Sequence, residues 1–95
     1  MEISTSSNTL TITGNIKTPS DFQNIKTRTD LLVSQNKEIT ILIKDSLSIT
    51  SSVIGYLNKI VLKDLINLNM KIGNAQLLNL LNDLHLTSVF KATKV

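Results

Sequence analysis

Few side chains in these 95 residues could converge to do chemistry. His85 is the only histidine; it sits between Leu84 and Leu86, where a cap or a solvated side chain near a helix C-terminus accounts for it. Asp21, Asp30, Asp45, Asp64 and Asp83 are spread out as caps or surface charges, and no His/Asp/Glu group has metal-ligand spacing. Gly14, Gly55 and Gly73 are isolated, so there is no glycine-rich phosphate loop. The absence of cysteine excludes disulfides, thiolate metal sites and cysteine nucleophiles. The expectation is a chain that is not an enzyme, with no catalytic residue, cofactor or metal.

Hydroxyls are the exception. Ser46, Ser48, Thr50, Ser51 and Ser52 crowd into one stretch that passes directly into an apolar pattern of helical spacing. Thr50, Ser51 and Ser52 stand where that helix begins. Its unpaired N–H groups and partial positive charge suit an anion. A cap at Thr50 or Ser51 is worth about 1 kcal/mol. A phosphate on one of these hydroxyls would instead add roughly −1.5 to −2 charges and strong acceptor oxygens. Spacing alone leaves both uses open.

The surrounding elements must position this stretch. Leu10, Ile12 and Ile16 alternate with Thr9, Thr11, Thr13 and Asn15, the period of a strand with one face buried. Glu2-Ile3-Ser4-Thr5 reads as a short edge strand joined to it by a turn at Ser7-Asn8, and Gly14 suggests a bulge or close backbone approach within the second strand. Thr18-Pro19-Ser20-Asp21 starts a first helix that runs to about Ser34, with Phe22, Ile25, Thr29, Leu32 and Val33 on one face. Glu38 to Lys44 is a nearly continuous β-branched run, expected to be a strand buried on both faces. The hydroxyl stretch then leads into a second helix whose inward stripe is read as Ile54, Leu57, Val61 and Leu65, widened by Leu62 and Ile66. Leu68, Met70 and Ile72 mark a fourth strand. Gly73-Asn74 caps a third helix carrying Leu77, Leu78, Leu80, Leu81 and Leu84, and the segment from Thr87 to Thr93 supplies a last strand. The order β-β-α-β-α-β-α-β predicts an α/β fold: a mixed, largely parallel sheet with an antiparallel N-terminal edge and helices packed against it.

Length fits a single domain over residues 1–95, with an aliphatic core, since hydrophobic residues make up 41% and aromatics 3%. The net charge of +3 comes from scattered lysines, and Phe22, Tyr56 and Phe90 are too few for base stacking, which argues against nucleic acid. No apolar run approaches the roughly 20 residues of a membrane span, and Met1-Glu2-Ile3 lacks a signal-peptide pattern, so direct membrane insertion is not expected and the cytoplasm is the expected compartment.

Three segments together resemble a STAS domain, the fold of bacterial anti-sigma factor antagonists. "LTITGNIKTPSDF" is similar to the family's opening strand, glycine and first helix. "ITILIKDSLSITSSVIGYLNKI" resembles the central strand, the Asp-Ser-Ser-Gly-Leu-Gly stretch and the second helix. "LLNLLNDLHLTSVF" is similar to the last long helix and the segment after it. The resemblance implies a non-catalytic protein-interaction module for signal transduction by partner switching. It places the phosphoacceptor on Ser51, with Thr50 and Ser52 as lesser candidates. Thr50 stands where the family has aspartate and Val53 where it has glycine, while Ile54 and Gly55 match; Lys17 lies where an acidic residue is frequent. The implied partner surface is Ser46, Ser48, Thr50 and Ser52 with Tyr56, Lys59 and Lys63 on the exposed side of the second helix. The partner would be a protein, either an anti-sigma kinase-like regulator or, for a non-switching accessory subunit, a lipid-type transport ATPase. A homodimer is compatible with this reading.

Overall fold

The computed structural model describes all residues from Met1 to Val95. Its elements follow the expected order: β1 (Glu2–Ser6), β2 (Thr9–Thr13), α1 (Pro19–Gln35), β3 (Glu38–Ile43), α2 (Ser51–Leu62), β4 (Asn67–Ile72), α3 (Ala75–Asp83) and β5 (Ala92–Lys94). They form one five-stranded sheet in the order β1-β2-β3-β4-β5, with β1 antiparallel to β2 and the remaining pairs parallel. The first hairpin closes at Ser7-Asn8, where Ser7 takes a φ of 53°.

Each crossover moves one strand in the same direction. Right-handed connections of that kind lay all three helices on one face of the sheet. Burial agrees: Leu10, Ile12, Ile39, Ile41, Ile43, Leu68, Met70 and Ile72 are buried, while their alternates are half-buried or exposed. The reading of β3 as covered on both faces is therefore corrected. Thr40 and Leu42 point to a face without helices and are only half-buried.

Local signals set the helix ends. Thr18 Oγ1 accepts from the Asp21 N–H (3.0 Å), and the Asp21 carboxylate accepts from the N–H groups of Thr18 (3.1 Å) and Lys17 (2.9 Å). Those bonds, from Lys17 first and Thr18 next, hold the Asp21 carboxyl below the usual carboxylate range. Asn74 Oδ1 accepts from Gln76 and Leu77 at the start of α3. That helix ends with Leu86 N–H bonded to the Leu81 carbonyl and His85 N–H to that of Asn82, with His85 left-handed at φ 59°. His85 is thus an exposed residue just past a helix end.

Two glycine expectations resolve differently. Gly14 lies beyond β2 rather than within it, in a left-handed turn at φ 87°, and the expected close backbone approach is there: a Cβ would stand 3.2 Å from Met1 Cα. Gly73 marks a close approach: a Cβ there would stand 2.0 Å from the Lys44 carbonyl oxygen.

The phase of α2 also differs from expectation. Val53, Tyr56, Leu57 and Ile60 are buried, Ile54 and Val61 only half-buried, and Leu62 and Leu65 are 65% and 78% exposed. The buried seam is turned toward α1, where Tyr56 reaches Asp30.

Candidate functional site at the starts of α1 and α2

Parallel strands β2 and β3 end side by side, and the loops leaving them are laced together. Gly14 N–H donates to Asp45 Oδ1 (2.7 Å), Ile16 N–H to Ser46 Oγ (3.1 Å) and Leu47 N–H to Asn15 Oδ1 (2.9 Å). Ser46 Oγ in turn donates to the Ser48 carbonyl (2.6 Å). Three successive residues of one loop thus meet three of the other, which fixes where α1 and α2 begin. The two helix starts frame an open cleft of about 250 Å³, lined by Lys17, Thr18, Pro19, Phe22, Thr50 and Ser52.

Thr50 is the N-cap of α2: its hydroxyl accepts from the Val53 N–H at 3.3 Å. Ser51 and Ser52 are the first two helical residues, and both are exposed. Ser52 turns toward the cleft. Ser51 does not line it; at helical spacing it shares the outer row of α2 with Gly55, Asn58 and Leu62. A Cβ at Gly55 would meet nothing within 4 Å, so that row is flat and open beside Ser51. Val53, in contrast, is a core residue at 1% exposure.

Two residues assigned to the partner surface are interior. Ser46 is fully buried because its hydroxyl pairs with the backbone of both loops. Tyr56 is 6% exposed, and its hydroxyl donates to the Asp30 carboxylate while the Phe22 ring meets it edge-on at 6.4 Å. Burial first, and then Asp30, push the Tyr56 phenol far above its ordinary range. At Asp30 burial acts upward, but the bonds from Tyr56 and Lys26 outweigh it and hold the carboxyl below its ordinary value. Lys26 completes the group, with Nζ 3.1 Å from Asp30 and 5.7 Å from the Tyr56 ring centre.

Of the other assigned residues, Ser48, Ser51, Ser52, Lys59 and Lys63 are exposed and Thr50 is half-buried. Lys59 and Lys63 lie two to three turns down α2 from Ser52, and Lys59 pairs with Asp64 at 3.3 Å. Sequence reasoning missed the contribution of Lys17, Thr18, Pro19 and Phe22. The signal was present: two caps after neighbouring parallel strands put both helix starts at one edge.

No family model matches the chain, and neither a curated protein nor a solved structure shows significant similarity to it. No helix is long and apolar enough to cross a membrane.

Proposed function

We propose that this chain is a STAS-type protein-interaction module that binds a regulatory protein at the start of α2, with phosphorylation of Ser51 as its control. The observation that carries the reading is the state of the hydroxyls. Thr50 is committed to capping and Ser46 to the buried loop contact, while Ser51 stands exposed on an open row beside Gly55. A phosphate at the first helical position would gain from the helix N-terminus while presenting its charge to an approaching protein. The element order and the parallel core of the sheet agree with what the sequence resemblance implies. The working surface is Ser48, Ser51, Ser52 and Gly55, flanked by Lys59 and Lys63. The test measures affinity for a purified anti-sigma kinase-like partner. Ser51→Asp should abolish binding and Ser51→Ala preserve it; equal affinities for wild type and Ser51→Asp would refute the switch.

A second reading, a non-switching accessory subunit of a lipid-type transport ATPase, draws on the residues around Ser51. Thr50 places no carboxylate beside the serine, and Val53 is locked in the core. This reading expects stable co-purification with an ATPase subunit and no response to Ser51→Asp.

A further inference from the structure

The two edges of the sheet are guarded unequally. β5 is a three-residue strand ending in Lys94, with Lys91 just before it, and lysines are a usual deterrent to edge pairing. β1 runs for five residues with neither lysine nor proline, in continuous register with β2. Hydrogen bonding fixes the direction of its backbone groups. The carbonyls of Asn8 and Ile12 accept from Thr40 and Lys44, so the even-numbered residues of β2 bond toward β3. Leu10 and Ile12 face Thr5 and Ile3, which makes these the non-hydrogen-bonded pairs of the hairpin. The N–H and C=O groups of Ile3 and Thr5 therefore point out of the sheet. Arg28 reaches one of them, donating to the Ile3 carbonyl at 3.4 Å.

We propose that this edge pairs with the same edge of a second copy of the chain, antiparallel about a two-fold axis at Ser4. In that register Ile3 lies opposite Thr5 of the second copy, and their outward groups form about four backbone hydrogen bonds. Ser4 faces Ser4 and Glu2 faces Ser6, so no like charges face each other along the paired strands, and the two Arg28 side chains beside the axis are the one like-charge pair to be accommodated. The interface also gains apolar cover. Ile3 is half-buried, and Leu31, on the Arg28 flank of α1, is 60% exposed. Arg28 competes for the Ile3 carbonyl and weakens the pairing. The dimer is small and concentration-dependent, and it leaves Ser51 free.

Sedimentation of the full chain between roughly 10 µM and 1 mM, the range of weak interfaces, tests this. The mass should rise from 10.5 kDa toward twice that value. Thr5→Pro removes an outward N–H without breaking the β1–β2 ladder and should weaken association at least about tenfold; Arg28→Gln should tighten it by about threefold to tenfold. Because the chain has no cysteine, single substitutions report the register. Ser4→Cys puts two thiols across the axis at a Cα separation of about 4.5 Å and should cross-link on mild oxidation, whereas Ser6→Cys should not. Should Thr5→Pro unfold, amide exchange on the wild type decides, with Ile3 and Thr5 becoming protected as concentration rises. A monomer at every concentration, association that survives Thr5→Pro in a folded protein, cross-linking equal at Ser4 and Ser6, or protection unchanged with concentration would each overturn the proposal. So would protection of Thr5 that appears only when a different protein is added.

Discussion

Replacing Ser46 with alanine should destabilise the protein far more than replacing any neighbouring serine. The Ser46 hydroxyl is fully buried, accepting from the Ile16 N–H at 3.1 Å and donating to the Ser48 carbonyl at 2.6 Å. Ser46→Ala leaves the Ile16 N–H without its acceptor, and Ile16 is itself 1% exposed, so water cannot readily replace it. A stranded buried donor costs about 1–3 kcal/mol, whereas Ser48 is exposed and its carbonyl can turn to solvent. The expected loss is about 2 kcal/mol, which for a domain of this size lowers Tm by roughly 8–16 °C. Urea unfolding followed by circular dichroism measures the loss, with Ser48→Ala as the control, expected within about 0.5 kcal/mol of wild type. Affinity for the proposed partner should also fall in Ser46→Ala, since the loop that sets the start of α2 loses its tie to the loop before α1. Unfolding of Ser46→Ala within about 0.5 kcal/mol of wild type would refute the view that this hydroxyl holds the two loops together.

Gly73→Ala should fail to fold or lose more than about 3 kcal/mol, because its Cβ would overlap the Lys44 carbonyl at 2.0 Å and backbone cannot step aside cheaply; soluble yield and urea midpoint report this. Gly55→Ala should do the reverse, adding about 0.5–1 kcal/mol in thermal unfolding through helix propensity, and should weaken the binding proposed at the Ser51 row. Tyr56→Phe should flatten the acid limb of the stability curve. Asp30 is held below its ordinary value of 3.8 partly by Tyr56, so its contribution is present above that pH and lost as pH falls through the lower folded value. Urea midpoints from pH 6 down to pH 2 test this, and an unchanged slope would remove Tyr56 as a cause.

Element order was legible because the local signals agree with one another: period-two threonines in β2, Thr18-Pro19 before α1 and Asn74 before α3 each sit where the chain changes element. The phase of α2 was not. Val53, Ile54, Tyr56, Leu57, Ile60, Val61 and Leu62 make that helix apolar around most of its surface, so its periodicity admits two seams one residue apart. What selects between them lies on another element, where Asp30 and Phe22 receive the Tyr56 ring and hydroxyl. A single-helix pattern cannot contain that information.

Ser46 was misplaced for a related reason. Residue type suggests solvent, and only the N–H of Ile16, thirty positions earlier and with Ser46 as its acceptor, makes the hydroxyl a buried necessity. The two corrections act on the candidate site together. Removing Ser46 and Tyr56 from the surface leaves Ser51, with Gly55 one turn on, as the accessible outer row, while the same two residues tie the row to the loop before α1 and to α1 itself. A partner docking as proposed would meet a helix start whose flanking hydroxyls, Ser46 and Thr50, are already hydrogen-bonded to backbone. Its affinity should therefore depend on surface chemistry at Ser51 and Gly55, and its sensitivity to distant substitutions should concentrate at Ser46 and Tyr56.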